Sequence, residues 1–332
     1  MSVIVGKPIG AGSPFKIPSM SPVEEWKFTG HTDSVTSVAV DLQGNVYSGG
    51  NDHTVRKINS SGLQVWSFTG NTSWVKCVAV DVNGNVYSGS TDKTVRKINS
   101  EGRQIWSFTG NTNTVWGVAV DAQGNVYSAD GDGTVRKINS SGTQAWSFTG
   151  HTEAVNSVAV DTIGNVYSSS RDNTVRKINS FGSQVWSFTG NTDLVRSVTV
   201  DVNGNVYSGS FDNTVRKINS SGSQIWSVEK YGSNPYAVAV DFHGNVYSAG
   251  MYYNYKFNSF GGEVWRFVEY GNFMFGVAVD IYGNVYFGGV TGNIVLKLQQ
   301  TADAILYLST NKKNPIYCKT IEKSGTDYLV RG

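Results

Sequence analysis

The 332-residue chain has little charge, and the charge that it has is balanced. Only 16% of its residues are charged, and 27 basic against 25 acidic side chains leave a formal net charge of +2. A dedicated nucleic-acid-binding domain needs a strong basic field, so this balance excludes one unless the charge is sharply segregated. We therefore expect no nucleic-acid partner.

Cysteine is scarce, and long apolar runs are missing. Cys77 and Cys318 are too few for a disulfide framework or a zinc site, and we expect Cys77 to be a reduced, partly buried thiol on a strand. No stretch approaches the roughly 20 apolar residues that a bilayer core demands. Residues 1–8 lack the basic and apolar regions of a secretory signal. A cytoplasmic location is the default expectation, with a virion as the alternative.

No stretch of the sequence carries the 3.6-residue periodicity of an amphipathic helix. Glycine instead occurs 38 times and aromatic residues reach 12%, a composition typical of turn-rich β proteins. With 39% hydrophobic residues the chain can bury a large core, which excludes global disorder.

A repeat of about forty residues dominates the chain. The segment from Trp66 to Ile105 and the segment from Trp186 to Ile225 agree at 31 of 40 positions. Repeats of this period indicate a solenoid or a propeller. The repeat is marked by one tryptophan in each unit: Trp26, Trp66, Trp106, Trp146, Trp186, Trp226 and Trp265.

Each repeat unit predicts four short strands. In the first unit, residues 34–41, 45–50, 54–59 and 64–68 are rich in β-branched and aromatic residues, and Gly, Asn and Asp separate them. One such antiparallel sheet cannot bury both of its faces, but seven sheets arranged radially bury each face against a neighbour. The pattern therefore favours a propeller.

The repeat resembles the WD-repeat β-propeller pattern. The resemblance rests on Gly30-His31, Val35, Val38, Gly44, Ser48-Gly49, Asp52 and Thr54-Val55-Arg56. The chain departs from that pattern where Ile58-Asn59 and its counterparts replace the name-giving Trp-Asp pair. The Trp-Ser-Phe-Thr-Gly segment also resembles quinoprotein-type propeller repeats.

The resemblance implies a His–Asp hydrogen bond in each blade, and only two units keep both residues. These are His31 with Asp52 and His151 with Asp172. In three other units an asparagine replaces the histidine, and we expect its amide to donate to the aspartate. The expected pairs are Asn71 with Asp92, Asn111 with Asp132, and Asn191 with Asp212.

We therefore predict an all-β fold, a seven-bladed β-propeller of four-stranded antiparallel blades. Because the chain begins with a fourth strand, Trp26–Phe28 should join the last blade and close the ring. The domains are then an extended Pro-rich N-terminal arm (1–25), the propeller (26–300) and a C-terminal extension (301–332). In the extension, residues 304–309 and 314–320 could add short strands.

The recurring polar residues have structural explanations. Arg-Lys pairs such as Arg56-Lys57 should split across a strand, because successive side chains point to opposite faces. The Asp41-Leu42-Gln43-Gly44-Asn45 turn and its counterparts lack the bidentate carboxylate that calcium needs, so the Asp should accept backbone N–H groups. The chain has no nucleophile elbow and no phosphate loop. We expect no catalytic residue, no metal and no cofactor, and hence no enzyme.

Variation between otherwise copied units is the remaining signal. The variable positions fall before the first strand and in the turn between the second and third strands, which share one rim of a propeller. Large aromatic side chains and arginine at this rim are typical of binding hot spots. We select these candidate binding residues: Trp74, Trp116, Arg171, Phe211, Tyr236, Tyr252, Phe273 and Phe275.

The sequence thus predicts a binding protein, either an interaction scaffold or a structural subunit of a larger assembly. Near-identical repeats of this kind resemble those of bacteria and their viruses, so a phage or bacterial particle is one such assembly. The expected partners are proteins, bound through the rim and the N-terminal arm, and we expect no membrane insertion. The alternative is a glycan-binding or adhesive module, in which Trp74, Trp116 and Phe211 would stack on sugars.

Overall fold

The computed structural model describes residues 22–230, 232, 234–268, 273–299, 320–324 and 327–331. Residues 20–301 form one unit, and the antiparallel hairpin of β29 (Thr320–Ser324) and β30 (Asp327–Arg331) belongs to a separate one. Most of the predicted N-terminal arm and C-terminal extension lies outside the described residues, including the strand expected at 304–309 and all but the last residue of the strand expected at 314–320.

The first unit contains seven four-stranded antiparallel sheets. Blades 1 and 2 consist of β2 (Val35–Val40), β3 (Val46–Gly50), β4 (Val55–Ile58), β5 (Gln64–Phe68), β6 (Val75–Val80), β7 (Val86–Ser90), β8 (Val95–Ile98) and β9 (Gln104–Phe108). Blades 3 and 4 consist of β10 (Val115–Val120), β11 (Val126–Asp130), β12 (Val135–Ile138), β13 (Gln144–Phe148), β14 (Val155–Val160), β15 (Val166–Ser170), β16 (Val175–Ile178) and β17 (Gln184–Phe188). Blades 5 and 6 consist of β18 (Val195–Val200), β19 (Val206–Ser210), β20 (Thr214–Ile218), β21 (Gln224–Glu229), β22 (Ala237–Val240), β23 (Val246–Ala249), β24 (Asn254–Phe257) and β25 (Glu263–Phe267). Blade 7 consists of β26 (Met274–Val279), β27 (Val285–Gly289), β28 (Val295–Gln299) and β1 (Val23–Phe28).

The innermost strands of the seven blades form a closed ring. Each of them contacts the innermost strand of the next blade, and β2 contacts β26 to complete the circle. The predicted seven-bladed propeller is therefore confirmed.

The N-terminal strand closes the ring, as predicted. β1 pairs antiparallel with β28, so blade 7 combines residues from both ends of the propeller. Trp26 lies opposite Lys297 and Lys27 opposite Leu296. Lys297 Nζ also lies 3.0 Å from a carboxylate oxygen of Glu25. In blade 1, the position of Leu296 is held by Arg56, which lies opposite Ser67.

A tyrosine–aspartate contact fixes each turn between the first and second strands. In blade 1, Asp41 Oδ1 accepts the backbone N–H groups of Gln43 and Asn45, at 3.0 and 2.9 Å. Asp41 Oδ2 accepts the Asn45 side-chain amide and, at 3.0 Å, the hydroxyl of the buried Tyr47. The same tyrosine bond recurs in all seven blades. Both carboxylate oxygens therefore serve the turn, as the sequence predicted.

The Arg-Lys pairs split across the third strand, as predicted. Lys57 Nζ lies 5.4 Å from the Tyr47 ring centroid on one face of β4. On the other face, a guanidinium nitrogen of Arg56 lies 3.4 Å from the Asp52 carboxylate. The pairs therefore form structural contacts inside each blade and make no basic patch.

Tryptophan on the outermost strand ties a blade to the next at six of the seven blade junctions among the described residues. Trp66 Nε1 donates to the backbone carbonyl of Ser100 in blade 2 at 3.0 Å. Gly102, with a φ of 85°, lies against this indole, and a Cβ there would come within 3.0 Å of the Trp66 ring. The turn therefore requires glycine for its left-handed backbone and for the close approach of the indole.

The two His–Asp pairs form as the resemblance implies. His31 Nδ1 donates to Asp52 Oδ2 at 2.9 Å, because a carboxylate can only accept. His31 Nε2 then accepts the Ser48 hydroxyl at 2.7 Å. Burial alone would raise the pKa of Asp52, but hydrogen bonds from His31, Thr54 and the Thr32 backbone lower it below its usual range. His151 and Asp172 repeat this arrangement at 2.8 Å.

The expected Asn–Asp bonds do not form, so that prediction was wrong. In blade 5 the Asn191 amide donates to the backbone carbonyl of Asn173, at 3.2 Å. Arg216 instead bridges the site, since its NH1 donates to Asn191 Oδ1 at 2.7 Å and to Asp212 Oδ2 at 2.8 Å. The shorter asparagine leaves room for the guanidinium to enter. Asn71 and Arg96 form the same bridge to Asp92 in blade 2, and the Asn111 amide donates to the Lys93 carbonyl rather than to Asp132.

Candidate binding face

Two segments of each blade meet at the same end of the propeller. In six of the seven blades, the first residue of the turn between the second and third strands donates its N–H to the carbonyl that precedes the innermost strand. Thr91 binds Trp74 in this way at 2.9 Å, and Phe211 binds Leu194 at 3.0 Å. The two sets of variable positions therefore lie side by side.

In six of the seven blades, a β-bulge leaves one residue of the innermost strand unpaired at this end. In blade 2, Val75 pairs with Ser90 and Cys77 with Gly89, so that Lys76 is the extra, unpaired residue. We call the seven residues at this repeat position the mouth ring: Thr36, Lys76, Trp116, Asn156, Arg196, Tyr236 and Phe275.

Side chains of the mouth ring meet across the central channel. Lys76 Nζ of blade 2 lies 5.8 Å from the Trp116 ring centroid, and Arg196 Cζ of blade 5 lies 5.2 Å from it. Arg171 Cζ, from the turn of blade 4, approaches the same indole at 5.5 Å. Because blades 3 and 5 are not neighbours, Trp116 and Arg196 can meet only over the channel. Trp116 is thus surrounded by three cations.

We call Lys76, Arg171 and Arg196 the cation cluster. Within the described ranges, no carboxylate forms an ion pair with any of the three. Burial lowers the pKa of Lys76 and the charge of Arg196 lowers it further, while the charge of Asp33 opposes the shift. Burial, followed by the charge of Arg171, likewise lowers the pKa of Arg196. Lys76 and Arg196 therefore hold positive charge where it is poorly solvated, whereas Arg171 is exposed.

The other half of the mouth is aromatic. Phe211 and Tyr236 meet edge to face with centroids 5.2 Å apart, and Tyr236 meets Phe275 at 4.6 Å. We call these three residues the aromatic arc. Tyr252 and Phe273 form a second edge-to-face pair at 6.0 Å, in which Tyr252 is exposed.

The structure places all eight sequence-selected residues at this end of the propeller. Trp74 is 47% exposed, and Lys76 Nζ lies 4.4 Å from its ring centroid. Arg171 belongs to the cation cluster, which surrounds Trp116. Phe211, Tyr236 and Phe275 form the aromatic arc. The sequence analysis did not select Lys76 and Arg196, although they share the repeat position of Trp116.

The opposite end of the propeller carries an apolar set that the sequence analysis also missed. The turn between the first and second strands presents exposed large side chains in six blades. The sequence marks them as apolar residues inside the Asp-x-x-Gly turn. The aspartate holds the backbone of this turn by hydrogen bonds, and the apolar side chain is exposed to solvent. These residues are Leu42, Val82, Ile163, Val202, Phe242, Ile281 and Tyr282.

The described residues offer little else for chemistry. Among them, no three His, Cys, Asp or Glu side chains come together as a metal-binding group. Cys77 is buried on β6, as expected, and burial raises the pKa of its thiol. The described part of the chain also contains no helix of the length and hydropathy needed to cross a bilayer.

Comparison with known families agrees with the geometry. A family model described as outer membrane protein assembly factor BamB matches residues 51–163 and 91–249, which together span more than half of the chain. A model described as WD domain, G-beta repeat matches residues 23–59. A search of curated proteins returned no match.

Proposed function

The chain belongs to the propeller family whose model is described as outer membrane protein assembly factor BamB, and we propose that it is a protein-binding scaffold or structural subunit that acts by binding rather than by catalysis. Its first unit matches the WD repeat, and propellers of that type generally mediate protein interactions. The fold alone does not assign a function, so the proposal depends on the binding face.

The observation that carries the proposal is the concentration of variable residues at one end of a copied frame. Trp74, Arg171, Phe211 and Tyr252 belong to the residue types that dominate interface energetics. Trp74, Arg171 and Phe211 stand on segments whose backbone hydrogen bonds repeat from blade to blade. A rigid frame that presents such side chains loses little conformational freedom on binding, which favours affinity.

The alternative, a glycan-binding or adhesive module, depends on aromatic faces that a sugar could cover. Trp116 does not offer such a face freely, because Lys76, Arg171 and Arg196 surround its ring. Trp74 remains exposed and carries this alternative. If Trp74→Ala abolished binding to an immobilised glycan, the adhesive function would replace the scaffold.

We further propose that the assembly is a large particle of the phage or bacterial kind, with the chain reaching it through its N-terminal arm. The support is the near-identity of the repeats, 31 of 40 positions between two units. The same proposal gives the chain one of two locations: a virion if the assembly is a phage particle, or the cytoplasm if it is a bacterial one.

Sedimentation of native material, with the chain located by mass spectrometry, tests the proposal. We expect the chain in a fraction far heavier than its own 36.0 kDa. Trp74→Ala combined with Phe211→Ala should release it, whereas Phe181→Ala should not, because Phe181 is 85% exposed in the turn between β16 and β17, which lies at the other end. A lone monomer in native material would overturn the proposal.

The arm is tested separately by deletion of residues 1–21. The deletion must stop there because β1 begins at Val23 and closes the ring. Loss of the heavy fraction with an unchanged unfolding midpoint would place the arm in the assembly contact. An unchanged heavy fraction would remove the arm from the proposal.

A further inference from the structure

The cation cluster differs from the other arginines of the propeller. In blades 1–5 every third-strand arginine pairs with the aspartate four residues before it. Arg96 and Asp92 approach to 2.8 Å, and so do Arg216 and Asp212. Lys76, Arg171 and Arg196 have no such partner among the described residues, although they converge on a single indole. Asp33 offsets only part of the repulsion at Lys76, and like charges that meet without a paired carboxylate repel one another, so the free protein carries an electrostatic cost here.

The hydrogen bonds that the cluster makes do not satisfy its donors. Lys76 Nζ donates to Asn51 Oδ1 at 3.1 Å. Arg171 and Arg196 both point to one neutral acceptor, Asn156 Oδ1, at the long distances of 3.5 and 3.4 Å. A guanidinium carries five N–H donors in a planar fork that matches a carboxylate. Most of these donors have no acceptor among the residues that the structure describes, so the cluster is set up to receive an anion.

The surroundings of the cluster indicate what kind of anion fits. Trp74 lies exposed on one side of it, against Lys76. The aromatic arc of Phe211, Tyr236 and Phe275 adjoins it in the next blades. A ligand that covers both halves needs carboxylates for the cations and apolar side chains for the rings.

We propose that the channel mouth binds an acidic segment of a partner protein, in which carboxylates alternate with apolar side chains. This inference rests on the proposed function and names the chemistry of the partner. The terminal segments of the chain itself are poor candidates, because residues 1–21 and 301–332 both carry more basic than acidic residues. Carboxylates from a partner would neutralise the cluster through charge-assisted, bidentate hydrogen bonds.

The direct test is fluorescence anisotropy with the full chain. The probe is a short labelled peptide in which glutamate alternates with leucine and phenylalanine, and its control carries glutamine in place of glutamate. We expect the acidic peptide to bind and the glutamine peptide not to. Arg171→Gln with Arg196→Gln should weaken binding about tenfold or more, and added salt should weaken it as well. Arg103→Gln is the matched control, because Arg103 is exposed beside Glu101 in a turn at the other end of the propeller.

Several results would overturn the inference. These are no binding of the acidic peptide, equal binding of the glutamine peptide, or unchanged binding by the double arginine variant. A polyglutamate without apolar residues that binds equally well would remove the aromatic arc from the site. Inorganic phosphate or an oligonucleotide that binds more tightly through the same arginines would replace the peptide as ligand. If native material sediments in the heavy fraction but the double arginine variant binds the acidic peptide as tightly as the unaltered chain, this inference fails and the scaffold function stands.

A second measurement needs no ligand. Arg196→Gln relieves repulsion within the cluster, so the thermal unfolding midpoint should not fall. Arg216→Gln, which breaks a paired arginine at Asp212, should lower it. If both substitutions lowered the midpoint equally, Arg196 would be a structural residue, and the cluster would lose its argument for a ligand.

Discussion

Substitution of Trp26 tests how the ring is held closed. Trp26 Nε1 donates to the Ser60 carbonyl of blade 1 at 3.0 Å, and its ring lies 6.1 Å from that of Tyr286. Trp106 makes the same two contacts inside the ring, to Ser140 at 3.1 Å and to Tyr87 at 6.1 Å. The two tryptophans therefore differ mainly in that Trp26 lies on the terminal strand β1.

The two alanine variants should lose similar contacts with different consequences. Both side chains are half-buried, so Trp→Ala should cost about 3 kcal/mol, at the lower end for this substitution. In Trp106→Ala, the whole loss should lower the free energy of global unfolding, because β9 and β13 are held within the continuous ring and neither can detach alone. In Trp26→Ala, β1 can detach alone, so much of the loss appears as local opening of the last blade.

Hydrogen exchange with urea unfolding separates the two outcomes. In Trp26→Ala, the amides that join β1 and β28 should exchange about 100-fold faster, while the other blades stay protected. In Trp106→Ala, protection should fall throughout the propeller together with the free energy of unfolding. Unchanged protection of β1 in Trp26→Ala would refute the view that this indole holds the ring closed.

Three further predictions concern the contacts inside the blades. Tyr207→Phe removes one donor to Asp201 and should lower the free energy of unfolding by about 1–2 kcal/mol in urea; no loss would contradict the role of the bond. Burial raises the pKa of Asp130 to about 7 although the neighbouring arginine opposes the shift, so the folded state holds a proton that the unfolded state releases above its ordinary pKa of 3.8. Stability should therefore fall as pH rises between these values, and Asp130→Ser should abolish that fall when urea midpoints at pH 5 and pH 8 are compared; an equal fall in both proteins would contradict the shift. His151→Asn should cost about 1 kcal/mol less than His151→Ala, because the arginine of that blade can then bridge the amide and the aspartate as it does in blades 2 and 5; equal unfolding midpoints for the two variants would exclude the bridge.

The strand order could be predicted because every turn has a local chemical cause. The Asp41 turn needs a carboxylate and a glycine, and both recur in each unit, so the period fixes the blade count. Trp26 could be assigned to the last blade because the strands of the repeat do not divide evenly along the chain. These inferences need only the sequence period and the residue types at the turns.

The side-chain partners across the ring could not be predicted in the same way. Trp116 and Arg196 lie 80 residues apart in blades that are not neighbours, and only the curvature of a seven-membered ring brings them together. The arginine bridge at Asn191 could not be predicted from the sequence for a different reason. Blades 1–5 all have an arginine at the position of Arg216, but its guanidinium binds different partners. In blades 2 and 5 it bridges the asparagine and the aspartate, whereas in blade 3 the guanidinium of Arg136 binds Asp130 and Asp132 instead.

The pairing of β1 with β28 also determines how many blades the chain closes around. The first five blades are so alike that β1 could pair with the third strand of any of them and seal a smaller ring. In each of these third strands, however, an arginine such as Arg56 would lie directly opposite Lys27. Like charges directly opposite each other destabilise a strand pair. In β28 that position is Leu296, and the adjacent Lys297 meets Glu25. The terminal strand thus disfavours premature closure on blades 1–5 and accepts the seventh blade, while blade 6, with Tyr255 at this position, lacks the charge conflict.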